Sequence, residues 1–92
     1  MKKKILVVED QSKIRKVVVA YLIKENYEVK EAEDGEKAVE YVEKFNPDLM
    51  VLDLMLPKIS GEEVCQKVRQ KSDLPILMLT AKNSEEDKIK GF

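Results

Sequence analysis

Three short apolar runs punctuate the chain, and each ends on a polar residue. They are Ile5-Leu6-Val7-Val8 before Glu9-Asp10, Leu49-Met50-Val51-Leu52 before Asp53, and Ile76-Leu77-Met78-Leu79 before Thr80. Runs this short, unbroken by polar positions, predict strands buried on both faces. A further segment, Tyr27-Glu28-Val29-Lys30-Glu31-Ala32, alternates as a half-buried or edge strand does.

Between the strands the apolar spacing changes to that of a helix. Ser12 is placed to cap a helix whose apolar positions Ile14, Val17, Val18, Tyr21 and Leu22 follow i, i+3, i+4, i+7, i+8, with Asn26 ending it. Val19, Ala20 and Ile23 widen that face, so this helix is expected to need cover on more than one side. Asp34-Gly35 marks a turn into a second helix with Ala38, Val39, Val42 and Phe45 on one face, stopped by Pro47. Pro57 and Gly61 shape a loop into a third helix that carries Val64, Cys65 and Val68 inward. Ser84-Glu85-Glu86-Asp87 resembles a capping box that opens a fourth. Strand–helix alternation with short connectors gives right-handed βαβ units, hence an α/β fold with a parallel sheet covered on both faces.

Ninety-two residues make one domain, with no internal repeat, linker or low-complexity stretch. Seventeen basic residues against eighteen acidic ones leave a net charge of −1, which argues against broad attraction to nucleic acid or membrane. Lys2-Lys3-Lys4 reads as a solvated start rather than a phosphate patch. The longest apolar run, Val17–Ile23, has seven residues, far short of the ~20 that span a bilayer. One cysteine, Cys65, and no histidine exclude an internal disulfide and a zinc site of the usual ligands. A reducing, cytoplasmic setting is the expectation.

In an open α/β sheet, ligands bind beyond the carboxyl ends of the strands. Those ends carry Glu9, Asp10, Asp53 and Thr80 here. Acids at strand ends are often simply solvated or cap the next helix, and Thr ends many strands. Asp53 is harder to explain that way: it is the only charge in the eight residues Leu49–Leu56, and an unpaired carboxylate there is costly to desolvate. Three crowded carboxylates would raise one another's pKa, and a divalent cation with a preference for oxygen ligands, magnesium above all, resolves the conflict.

The residues Val7-Val8-Glu9-Asp10, then Val51-Leu52-Asp53-Leu54-Met55-Leu56-Pro57 with Gly61, then Leu79-Thr80-Ala81-Lys82 resemble the receiver domains of two-component response regulators. The resemblance covers Lys4 to Phe92 and keeps every motif's spacing. It implies a flavodoxin-like parallel sheet of order 2-1-3-4-5. By position, Asp53 resembles the phosphoacceptor that takes a phosphoryl group from a sensor histidine kinase. Asp10 resembles the acid that ligates Mg2+ directly, and Glu9 its neighbour that acts through water. Met55 would lend its backbone carbonyl to the metal. Thr80 resembles the hydroxyl that hydrogen-bonds the phosphoryl group, and Ala81 the small residue beside it.

The family pattern continues with a fifth strand, ending in a lysine that pairs with the phosphoryl group, and a fifth helix. The chain is expected to stop before both, since Lys82 lies in the wrong segment. The sheet expected here is therefore 2-1-3-4, in a receiver domain over 1–92 that is incomplete at its C-terminal end and comes from a longer regulator. That parent, rather than this chain, would carry any DNA-binding domain. Strand Ile76–Thr80 would then be an apolar edge, and self-association through it or the first helix is expected.

Three other readings compete with a phosphoacceptor. A flavodoxin-type cofactor protein needs a loop of small or hydroxyl residues after the first strand, where this chain has two acids. A phosphatase with an aspartyl nucleophile places a second acid two residues further on, where this chain has Met55. A phosphorylation-defective interaction fragment of a regulator is the strongest rival. No enzyme beyond assistance to its own phosphotransfer and dephosphorylation is expected.

Overall fold

In the computed structural model of the chain, residues 2–53, 56 and 59–79 are described. Their elements are β1 (Lys4–Val8), α1 (Ser12–Lys24), β2 (Glu28–Ala32), α2 (Gly35–Phe45), β3 (Leu49–Asp53), α3 (Gly61–Arg69) and β4 (Ile76–Leu79). The four strands form one parallel sheet of order β2-β1-β3-β4. Each apolar run identified above became a strand, and the alternating segment became β2, an edge of the sheet.

Side-chain alternation divides the core between the two faces of the sheet. On one face Leu6, Val8, Met50 and Leu52 pack with Ala38 of α2 and with Val64 and Val68 of α3. On the other, Ile5, Val7 and Val51 receive Val18, Val19 and Leu22 of α1. The two central strands are buried because they are covered twice, which is why Ile5–Val8 and Leu49–Leu52 carry no polar residue.

Turn chemistry sets the boundaries. α1 is followed by Asn26 at φ 73°, and α2 by Asn46 at φ 54°. Asparagine tolerates this left-handed conformation better than other non-glycine residues, so both sites end a helix cleanly. Asn46, more than Pro47, therefore stops α2. The Asp34 side chain accepts from the Lys37 amide and caps α2. Ser60 and Glu63 form a reciprocal capping box that opens α3.

Three expectations need correction. The packed stripe of α1 is Val18, Val19 and Leu22, whereas Val17 and Tyr21 point outward at 69% and 61% exposure. Ser12 lies inside α1, and Gln11 precedes it without a side-chain cap. Cys65 is half-buried rather than inward like Val64 and Val68. Met55, Pro57, Thr80, Ala81, Lys82 and the capping box expected at Ser84 lie outside the described residues.

Candidate functional site

Strand register brings the acids together. Val8 lies opposite Leu52, so one residue further on β1 delivers Glu9 beside Asp53 at the end of β3. Asp10 follows immediately. One carboxylate oxygen from each of Glu9, Asp10 and Asp53 lies within 4.8 Å of the others. Glu9 is 4% exposed and Asp53 2%, while Asp10 faces solvent.

The backbone holds Glu9 firmly. Its amide donates to the Ala32 carbonyl at 3.1 Å, continuing the β1–β2 ladder past its last strand pair. The Gln11 amide donates to Glu9 Oε2 at 3.0 Å. Burial pushes the Glu9 carboxyl up from 4.5 to about 7, the hydrogen bond from Gln11 opposes this, and the charge of Asp53 adds to the rise. Hydrogen bonding to Asp10 and Asp53 raises it further. Burial is the larger cause of the rise and the neighbouring carboxylates the smaller. Three carboxylates in this spacing are a donor set for a hard divalent cation.

Glu9, Asp10 and Asp53, distant in sequence, thus converge as their positions at strand ends predict. Arg15 was missed by sequence reasoning. Its Nη1 donates to the Glu9 carbonyl at 2.9 Å, and its Nε donates to Glu31 Oε1 at 2.8 Å. A cation in the opening turns of a helix, where the macrodipole disfavours it, was the available signal. A hollow of about 340 Å³, lined by Arg15, Glu31, Lys37 and Tyr41 among others, adjoins this pair rather than the acids.

A parallel 2-1-3-4 sheet with acids gathered beyond its strand ends is the architecture of a receiver. The chain matches the model of the response regulator receiver domain over residues 5–92 and belongs to that family. Among curated relatives, the transcriptional regulatory protein ResD of Bacillus subtilis is 47% identical over 89 residues, 97% of this chain and 37% of that protein. The probable transcriptional regulator ycf27 of Cyanophora paradoxa is 48% identical over 91 residues, covering 99% and 38% respectively. The chain therefore spans well under half the length of these relatives. Among solved structures, the BeF3-activated N-terminal receiver domain of Klebsiella pneumoniae RstA superposes with a TM-score of 0.85 at 34% identity, over 97% of this chain and 76% of that one. Receiver domains are signalling modules of two-component systems, generally with Mg2+ at an acidic site and a histidine kinase as partner. Among the described residues no helix is long and apolar enough to cross a membrane.

Proposed function

We propose that this chain is the phosphoacceptor module of a two-component response regulator, taking a phosphoryl group from a sensor histidine kinase onto Asp53. The observation that carries the reading is the convergence of Glu9, Asp10 and Asp53 at adjacent strand ends, with Asp53 2% exposed at the floor of the cluster. Asp10, Asp53 and the Met55 carbonyl would hold Mg2+, with Glu9 acting through water. When bound, the ion supplies positive charge against the equatorial oxygens of the transferring phosphoryl group. An Asp53 carboxylate oxygen attacks phosphorus, the bond from phosphorus to the donor nitrogen breaks, and the donor imidazole keeps the electron pair. The product is an acyl phosphate. Thr80 would hydrogen-bond the phosphoryl group, and Ala81 would leave it room. The module acts in the cytoplasm, does not itself contact nucleic acid, and belongs to a regulator whose output lies elsewhere.

The test is incubation with magnesium and a small phosphodonor such as acetyl phosphate, followed by mass measurement and site mapping. One added phosphoryl group on Asp53 is the expected result. A phosphate on Ser12, Thr80 or Ser84 would refute the assignment to Asp53, and a chain that takes up none would be an interaction module only.

A second reading concerns assembly. Val17, Tyr21 and Ile23 on α1 are 69%, 61% and 57% exposed, and Leu77 and Met78 on β4 are 46% and 36% exposed. Among the described residues β4 pairs with β3 alone, which leaves an apolar edge. The occupant we propose is a second copy of this chain, because a net charge of −1 sets little repulsion against it. Sedimentation over a concentration series should show the average mass rising, and Val17→Glu should lower it. A monomer throughout would sink this reading and leave the phosphoacceptor reading intact.

A further inference from the structure

We infer that Arg15 is a positioning residue for the acid cluster, holding the Glu9–Asp10 peptide so that its carboxylates meet Asp53; this rests on the reading of that cluster as a magnesium site. Arg15 lies one turn into α1 and its side chain is only 13% exposed. Its two bonds run to different elements: Nη1 to the Glu9 carbonyl at the end of β1, and Nε to Glu31 on β2. The guanidinium therefore ties the start of α1 to two strands at the point where β1 leaves the sheet.

The ion pair with half-exposed Glu31 alone would be worth little and would say nothing about the site. The bond to the carbonyl is different. A peptide unit is planar, so fixing the Glu9 carbonyl also fixes the Asp10 amide and the direction in which the Asp10 Cα departs. The Glu9 amide is already held by Ala32 and the Glu9 carboxylate by the Gln11 amide. Arg15 supplies the remaining constraint on that residue. Its position also runs against helix electrostatics: α1 has no acid in its first turn to offset a cation near its N-terminus. The rigid fork of arginine suits the task, since two of its nitrogens can serve two acceptors at once, whereas lysine offers a single centre.

Residues that orient metal ligands change metal affinity by ~10–100-fold when removed. Calorimetric titration of the full chain with magnesium chloride should show Arg15→Met binding ~10-fold more weakly than the parent, at the low end of that range. Lys44→Met, which removes the exposed pair with Glu40 far from the site, should bind like the parent. Labelling by acetyl phosphate should separate positioning from general damage. In Arg15→Met the magnesium needed for half-maximal rate should rise by the same factor, while the rate at saturating magnesium stays near that of the parent. If Arg15→Met fails to fold by circular dichroism, Arg15→Lys, which keeps one donor, is titrated instead and should bind magnesium more weakly than the parent, by less than ~10-fold; equal binding would overturn the inference.

Asp10→Asn separates the two levels of the argument. If it loses magnesium while the Arg15 variant binds like the parent, the inference about Arg15 is overturned and the site reading stands. If Asp10→Asn itself binds like the parent, the site reading fails. A fall in the saturated rate of Arg15→Met with no change in magnesium requirement would also overturn the positioning role.

Discussion

Asp53→Asn should abolish phosphoryl uptake entirely and, without magnesium, make the chain more stable than the parent. The first effect follows from chemistry: the amide is nearly isosteric but has no anionic oxygen with which to attack phosphorus. The second follows from charge. Asp53 and Glu9 are both almost fully buried and share a cluster with Asp10, so removing one carboxylate relieves repulsion where water screens it least. Two full charges ~4 Å apart interact by ~4 kcal/mol at an effective dielectric constant near 20. Since Glu9 is partly protonated near neutrality, a gain of ~1–2 kcal/mol is the expected scale.

The same substitution should alter the pH dependence. The Glu9 carboxyl is raised in the folded chain from 4.5 to about 7, so the folded state binds its proton more tightly than the unfolded one. Its contribution to stability is full below about 4.5 and is lost as pH rises through about 7. Thermal melts of the magnesium-free parent should therefore show this component declining across that window. In Asp53→Asn the decline should be shallower but not absent, because burial of Glu9, the largest cause, remains. Magnesium should stabilise the parent more at pH 8 than at pH 5 and should barely affect the variant. A magnesium-free variant less stable than the parent would show that repulsion is not what Asp53 contributes to the folded chain.

Much of this was legible in the sequence because strands buried on both faces must be uniformly apolar, and a carboxylate ending such a run stands out. The sheet order and the meeting of Glu9, Asp10 and Asp53 follow from that pattern together with the family resemblance. The phase of α1 did not follow. Val17–Ile23 is apolar on all sides, so spacing alone could not say that Val18, Val19 and Leu22 pack while Val17 and Tyr21 face outward. Arg15 escaped for another reason. Its key partner is a backbone carbonyl, a group every residue possesses and that no sequence pattern displays. The capping box Ser60-Gly61-Glu62-Glu63 was readable as S-x-x-E but lay hidden behind the more conspicuous Pro57 and Gly61.

Gly35 follows Asp34 at the turn into α2, and the structure gives it a second duty whose loss should be costly. It is the first residue of α2 and is buried. Its φ is not in the left-handed region, so conformational freedom is not the reason for glycine. Space is the reason. A Cβ there would overlap Ile59 Cγ1 and come within 2.6 Å of Val64 Cγ2. Val64 is fully buried in the α2–α3 side of the core, so it cannot retreat into solvent, and half-buried Ile59 packs against the same cluster. In an open helix Gly→Ala would stabilise by ~1 kcal/mol through propensity. Here the overlap should reverse the sign, and overpacking of this kind costs ~1–3 kcal/mol. For a domain of this size each 1 kcal/mol corresponds to a Tm shift of roughly 4–8 °C. Ile59 also belongs to the segment between Asp53 and α3. Removing the obstacle should restore stability: Gly35→Ala with Ile59→Ala should be less destabilised than the two single changes added together, a coupling that a double-mutant cycle reads directly. Chemical denaturation of the four proteins decides the matter. A Gly35→Ala chain as stable as the parent would mean that α2 and Ile59 are less closely packed than this contact requires.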